Sequence, residues 1–478
     1  METKKDKTIN IIICFVVFLF LSLLVLRSLI TVFCPASIIP DGFVFKYIGI
    51  RMREGEMPYL DTFDHKGPVI FILNYLGILI DTEIGIILIE ALFNLMSLIL
   101  IFIVPLRLGC NKLQSLLIAV TGYIYYVTVF GAGNFVEEFA LPFILISMII
   151  FIDYFNNGII NTFRLIVCGA SLGVILMLRA NMCALWAVMC IAVMIKCIKD
   201  KNSKLIIGYI LRFTAGMLIA IVPLIIWMWI KGALSSFFEQ YIIFNLTYSD
   251  ADMFLRSMAM VEFIKQPIMT ASLILSAVWI ILLVKAKRSV PPFLFAFLIY
   301  MIIQALMIVM AGTSYDHYFI TAVPFILYPL SGIISEISKH KAVVLTAVIA
   351  CFSIFLIISV IKTVKTINDS ASQTEMTNGV ITSVIDNSTA NDTIIMFGNL
   401  DYIYIKTGRK AATRYSYTKP IIYLDKAIFD DYYKELEEHV PKILVIEFVN
   451  DAIKDYINRH SYYIIYESKR FIAYKTDE

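Results

Sequence analysis

Residues 61–80 read DTFDHKGPVIFILNYLGILI. A knot of two aspartates, a histidine and a lysine runs straight into thirteen apolar residues. How that apolar run is read decides the topology. At 1.5 Å per residue it is about 20 Å long, whereas a bilayer core of about 30 Å needs roughly 20 residues. Pro68–Ile80 is therefore expected to be a re-entrant or surface-lying helix and not a span. Counted as a span, it would reverse the side of every later loop.

Working outward, the 478-residue chain is 60% hydrophobic and only 16% charged, with mean hydropathy +0.82. That composition is outside the range of soluble domains and fits a polytopic membrane protein. Eleven spans are expected, at roughly 9–33, 84–106, 114–131, 138–155, 163–178, 182–198, 206–230, 267–285, 291–311, 318–336 and 342–362. The first is too long for a signal-peptide core and reads as a retained helix.

The loops alternate in charge. Lys4, Lys5, Lys7, Arg107, Lys112, Arg164, Lys196, Lys199, Lys201, Lys204, Lys285, Lys287, Arg288, Lys339 and Lys341 lie at one set of ends. The other set carries fewer cations in longer loops. The positive-inside rule then predicts a cytoplasmic N-terminus and an extracytoplasmic C-terminus in a multi-pass protein of the cell membrane. Two domains are expected: a transmembrane domain, 1–365, with a first outer loop, 34–83, and a soluble outer α/β domain, 366–478. In the latter, TIIMFG and KILVIEF read as buried strands, DKAIFDDYYKELEEHVP and VNDAIKDYINRH as amphipathic helices, and YYIIYESKRFIAYK as a hairpin.

The net charge of +3 gives no support to nucleic-acid binding, and the eight cysteines show no C-x-x-C spacing, so neither a zinc site nor a disulfide framework is expected. Four polar clusters fall on the outer side: Asp41; the knot with Asp61, Asp64, His65 and Lys66; Glu137 and Glu138; and Tyr315, Asp316, His317 and Tyr318. Arg179 joins them in a tight turn. Any one of these can be a wetted loop residue or an interfacial anchor. For Arg27, snorkelling is the favoured reading; for Glu90, pairing within the bundle; and Arg51, Arg53, Glu54 and Glu56 read as the solvated face of a loop helix. Together the four clusters suit transfer from a lipid phosphate. That chemistry needs a cation at the leaving oxyanion, a carboxylate to take a proton, and aromatic walls around a sugar.

The run DGFVFKYIGIRMREGEMPYLDTFDHKGP (41–68) resembles the first outer loop of GT-C glycosyltransferases of the protein-mannosyltransferase and aminoarabinose-transferase type. SYDHYFITAVPFI is similar to their late HY…P motif, and the outer Glu-Glu and the order of elements in the tail are also similar. The resemblance implies a hexosyltransferase using a polyprenyl-phosphate sugar donor, with a hydroxyl-bearing glycan, lipid or protein as acceptor at the outer membrane face. It implies Asp41 as catalytic carboxylate, and Lys66, with Arg179 as a second candidate, at the donor phosphate. Glu137 or Glu138 would be a second acid. Tyr59, Asp64, His65, Tyr315, His317 and Tyr318 would line the donor or acceptor pocket. A divalent metal is compatible with the sequence but not required by it. Two departures stand out: Asp41-Gly42 where many relatives have Asp-Glu, and Lys66-Gly67-Pro68 where many have Lys-Pro-Pro. Two other classes stay open. A lipid-linked oligosaccharide transporter would show an inverted repeat, and none is seen. A polysaccharide polymerase or ligase on a lipid-diphosphate donor would place key arginines in a large late loop, where only Arg256 is found.

Overall fold

The computed structural model describes residues 4–33, 41–247, 257–258, 260–261, 267–309, 315–336, 373–419, 421–423 and 425–477. They divide into two compact units: Met1–Arg27, Ile89–Trp227 and Ser249–Val360 form unit 1, and Ser28–Leu88, Met228–Tyr248 and Ile361–Glu478 form unit 2.

Unit 1 is helical. Its helices are most of α1 (Lys4–Phe33) and α4 (Gly85–Arg107), then α5 (Lys112–Val129), α6 (Val136–Asn157), α7 (Thr162–Leu178), α8 (Ala184–Lys199) and most of α9 (Lys204–Ile230). Pro267–Lys285, Pro292–Val309 and Val323–Glu336 follow, the last led in by a 3-10 segment, Asp316–Ala322. Each of the first ten expected spans corresponds to a described helix, while 342–362 lies outside the described residues. Seven helices among the described residues are long and apolar enough to cross a membrane. The expected count of eleven also includes α5, α7 and α8, at 18, 17 and 16 residues, and 342–362, outside the described residues. At 1.5 Å per residue α7 and α8 reach about 24–26 Å, short of a full bilayer core when upright, whereas α5 equals Pro292–Val309 in length but is less apolar.

Local chemistry sets the helix ends. Asn111 caps α5, accepting from the Leu113 and Gln114 amides, and Gln114 returns a bond to the Asn111 amide. Asn161 caps α7 through the Arg164 amide. One close approach was not foreseen. Gly169 and Gly173, four apart on α7, face α9: a Cβ on Gly169 would sit 1.9 Å from the Phe213 carbonyl oxygen. A Cβ on Gly216 would sit 2.1 Å from the Ile166 carbonyl oxygen. Small residues at this spacing let helix backbones meet where lipid provides no hydrophobic drive for association. Arg27 has a partner inside unit 1: its guanidinium donates to the Val127 carbonyl, near the end of α5, at 2.8 Å.

Unit 2 joins distant stretches of chain. It holds α2 (Asp41–Arg53), α3 (Pro68–Ile80), a short helical stretch over 234–247 with a π turn at Phe238–Ile243, and a helix over 373–387. The sheet contains β1 (Thr393–Phe397), β2 (Lys410–Ala411), β3 (Ile443–Ile446), β4 (Tyr463–Glu467) and β5 (Ile472–Lys475), in the order β2-β1-β3-β5-β4. β1 pairs in parallel with β2 and β3; β5 pairs antiparallel with β3 and β4. The expected strands, the helices Lys426–Glu438 and Asp451–Arg459 and the hairpin are all present. β2 and the helix Tyr402–Thr407 are additional.

α3 is a single 13-residue helix with Pro68 at its first turn, where a missing N–H costs nothing. α2 is built into the core of the sheet. Phe43 and Tyr47 pack with Met396, Ile403, Val445 and Ala473, and the Tyr47 hydroxyl accepts from the Ala411 amide at 2.9 Å. The expected solvated face of α2 is therefore wrong for Arg51. That side chain is buried and binds both Glu56 oxygens, at 3.0 and 2.8 Å, and also meets Glu54. Glu56 in turn meets Lys410, so the ion cluster ties the first loop to β2. Arg53 and Glu54 are exposed, as expected.

Candidate active site

In unit 2 the opening knot separates into parts with different jobs. Asp61 is exposed and accepts from the Met57 amide at 2.7 Å, closing the turn 57–61. Asp64 is buried, at 3% exposure. One of its oxygens accepts from the Lys66 amide at 2.7 Å, and the other from the Tyr417 hydroxyl at 3.3 Å. Its own amide donates to Gln240 Oε1 at 3.3 Å.

Lys66 is held from three sides. Besides the amide bond to Asp64, its carbonyl accepts from the Tyr59 hydroxyl at 2.7 Å, and its Nζ lies 2.7 Å from His65 Nε2. The carbonyl of His65 accepts from Asn245 at 2.7 Å. Tyr59 is almost fully buried and has φ +71°. A non-glycine residue in this left-handed region costs on the order of 1–3 kcal/mol and persists only where its surroundings over-determine it. Here they do. The Tyr59 amide donates to the Thr62 carbonyl at 2.8 Å, its carbonyl accepts from Gln240 at 2.7 Å, and its ring stands edge-on to Phe71 and Phe237.

Asp41, half-buried at the start of α2, faces this cluster electrostatically, its charge acting on both Asp64 and Tyr417. Burial, and then the Asp41 charge, push the Asp64 carboxyl up to about 6, against the opposing pull of Lys66 and Tyr417. Asp401, fully buried and bonded to the Ser416 hydroxyl at 2.5 Å, is pushed up to about 7, by burial first and by Asp64 next.

Unit 1 carries its own polar cluster. Glu137 and Glu138 occupy the first turn of α6, where the helix dipole favours negative charge. Glu137 binds Arg179 Nη1 at 2.5 Å, and the Arg179 guanidinium lies 4.1 Å above the Tyr318 ring. Asn181, Gln304 and Thr321 line the same small cavity. Glu138 points elsewhere: it is fully buried, accepts from the Asn134 amide at 3.1 Å and shares a hydrogen bond with Glu90. Glu90 thus pairs within the bundle, as expected. His317 is sandwiched between Phe135, at 4.3 Å between ring centres, and Tyr315, at 5.6 Å, with Tyr318 edge-on. Tyr315 is half exposed and the other two rings are buried.

Unit 2 therefore brings together Asp41, Tyr59, Asp64, His65 and Lys66, and unit 1 brings together Glu137, Arg179 and Tyr318, with His317 and Tyr315 alongside. Gln240, Asn245, Asp401, Ser416 and Tyr417 were not foreseen. The polar residues in FFEQYIIFNL and the aromatic-hydroxyl run RYSYT were the available signals. Among the described residues, no group of three or more His, Cys, Asp or Glu side chains is placed to hold a metal ion.

Helices of bilayer length, the helix pair α2 and α3 and a small mixed-sheet domain define a multi-pass membrane protein with a GT-C-like fold. Two solved structures carry the same fold. The crystal structure of ArnT from Cupriavidus metallidurans bound to undecaprenyl phosphate matches with TM-score 0.59 and 11% identity, over 96% of this chain and 97% of that one. The apo state of ArnT from the same organism matches with TM-score 0.56 and 11% identity, over 94% and 97%. The chain belongs to the family described as "Putative competence-induced protein Ccs4 N-terminal domain", whose match spans residues 3–365. A search of curated proteins finds no match.

Proposed function

We propose that the protein is an integral membrane glycosyltransferase that moves a sugar from a polyprenyl-phosphate donor to a hydroxyl acceptor. The observation that carries this reading is Lys66. Its amide, carbonyl and Nζ are each held, beside a carboxylate network that includes Asp41. The likeness in fold to ArnT, crystallised with undecaprenyl phosphate, supports the donor class.

In this reading the acceptor oxygen attacks the anomeric carbon as the bond to the phosphate oxygen breaks. The departing electron pair stays on the phosphate, where the Lys66 ammonium offsets it, and the hydroxyl proton passes to Asp41. A single displacement inverts the anomeric centre. Tyr59, Asp64 and His65 shape the donor side. The roles of Glu137 or Glu138 as second acid, of Arg179 as second cation, and of Tyr315, His317 and Tyr318 as pocket walls rest on the family resemblance. The site faces outward with the C-terminus, where nucleotide sugars are absent and lipid-linked sugars are the available donors. Acceptors in this reading are cell-envelope glycans, lipids or proteins. The soluble part of the chain, 366–478, is the outer domain and 1–365 the transmembrane one.

Lipid extracts of a deletion strain test the donor. The expected result is accumulation of one polyprenyl-phosphate sugar, reversed by the wild-type gene. Accumulation of a lipid-diphosphate oligosaccharide instead would favour a polymerase, ligase or transporter. A topology reporter fused after Glu478 is expected to be active only outside the cytoplasm; cytoplasmic activity would overturn the outward orientation.

A further inference from the structure

Among the contacts between the C-terminal part of unit 2 and the first loop, the segment Ala411–Thr418 meets the stretch around Asp64. The Phe63 amide donates to the Arg414 carbonyl at 2.8 Å, and the Phe63 and Tyr415 rings lie 4.9 Å apart. Two residues on, the Tyr417 hydroxyl meets Asp64, the carboxylate whose other oxygen anchors the Lys66 amide. Tyr417 and Asp64 are both buried, so neither can replace this bond with bulk water. The segment is itself pinned from behind: the Ser416 hydroxyl donates to Asp401, the Ser416 carbonyl accepts from the Tyr404 hydroxyl, and the Thr418 amide donates to the Gly398 carbonyl. A chain of bonds therefore runs from the sheet, through Tyr417 and Asp64, to the backbone of Lys66.

We infer that Tyr417 is a positioning residue of the donor-phosphate site: its hydroxyl fixes the Asp64 carboxylate, and Asp64 fixes the Lys66 backbone from which the ammonium is aimed. The segment 411–418 is thereby part of the site and not only of the domain core. The inference rests on the proposed use of Lys66 at the donor phosphate. It gives the soluble part of the chain a defined task in the reaction.

The groups facing Asp64 are Lys66 and Tyr59 from its own loop, Asp41 from α2, and Tyr417 and Asp401 from the C-terminal part. The uncharged Gln240 faces it from the 234–247 stretch. The Tyr417 hydroxyl favours the charged form of Asp64. Removing it raises the Asp64 pKa further above its folded value of about 6, so Asp64 loses its charge at higher pH.

The test compares the full-length protein with Tyr417→Phe, Lys66→Ala and Tyr423→Phe, an exposed tyrosine of the same domain. Polyprenyl phosphate binding and turnover with a polyprenyl-phosphate sugar are followed against pH, and thermal melting against pH without donor. Tyr417→Phe is expected to raise the donor KM by about 10-fold, with a smaller change in kcat, since it removes a hydrogen bond to a charged, buried group. The acid limb of kcat/KM is expected to move to higher pH.

Melting provides a donor-free readout. Asp64 has a folded pKa above its ordinary value of 3.8, so the folded state binds the extra proton and stability falls as pH rises from about 4 to about 6. In Tyr417→Phe that decline extends above pH 6. Tyr423→Phe should match wild type throughout. Weakened donor binding in Lys66→Ala beside an unmoved KM and pH profile in Tyr417→Phe overturns the inference and leaves the proposed function standing. A wild-type protein that binds no polyprenyl phosphate overturns both. An unmoved melting profile in Tyr417→Phe overturns the coupling to Asp64 whatever the donor result.

Discussion

Asp41→Asn is expected to lower turnover by about 10²–10⁴-fold while the protein still accumulates in the membrane, because a general base contributes about that much and an amide cannot accept the proton. The structure makes this a clean substitution. Asp41 begins α2, and asparagine keeps nearly the shape of aspartate there. The remainder of α2 is locked into the sheet core by Phe43 and Tyr47, so the helix has little freedom to move when one carboxylate becomes an amide. The same change removes a charge that pushes Asp64 upward, so Asp64 should titrate at lower pH in the variant. Turnover with a polyprenyl-phosphate sugar, measured beside protein yield, decides the matter. Near-wild-type turnover would falsify Asp41 as the base.

Lys66→Ala should produce the second largest loss, about 10²–10³-fold in kcat, by analogy with removal of one stabiliser of a developing oxyanion, together with weaker donor binding. Lys66→Arg should recover part of it, since the charge returns but a planar fork replaces a compact ammonium. The choice of control matters. Arg53 is exposed, and Arg53→Ala should behave as wild type. Arg51 is unsuitable as a neutral control. Its guanidinium is buried against Glu54 and Glu56, and deleting it leaves the Glu56 carboxylate with only Lys410, so Arg51→Ala should lower folding yield before it informs on catalysis. Equal, mild losses for Lys66→Ala and Arg53→Ala would reduce Lys66 to an interfacial anchor.

Much of the fold was written locally. Apolar runs of helical length, the shortness of Pro68–Ile80 and the alternating strands of the tail each depend on contiguous residues. The structure returns helices at the first ten expected spans, a 13-residue α3 and the expected hairpin. The burden of a membrane interior, where each backbone group must be satisfied within its own segment, makes such runs legible from sequence. Candidate site residues were found by chemical type, since an acid, a cation and an aromatic crowded into short loops of a greasy chain are few and conspicuous.

What the sequence did not disclose depends on pairing across distance. Arg51 looked solvated because its neighbours in sequence are charged, but β2 brings Lys410 to its cluster from more than three hundred residues away. Asp61 and Asp64 are three residues apart and chemically identical. Only the fold makes one a turn cap at the surface and the other a buried carboxyl at about 6. Glu137 and Glu138 are adjacent, yet a helical turn of about 100° per residue sends one to Arg179 and the other to Glu90 and the Asn134 amide. Gln240, Asn245 and Tyr417 carry no periodic signal, and each acquires its partner only when unit 2 closes around the first loop. Composition and periodicity thus determined that this chain crosses a membrane and carries a small α/β domain. Which of its charges are aimed, paired or buried was decided by tertiary contacts, because the free energy of a charge depends on the groups and the water around it rather than on its neighbours in sequence.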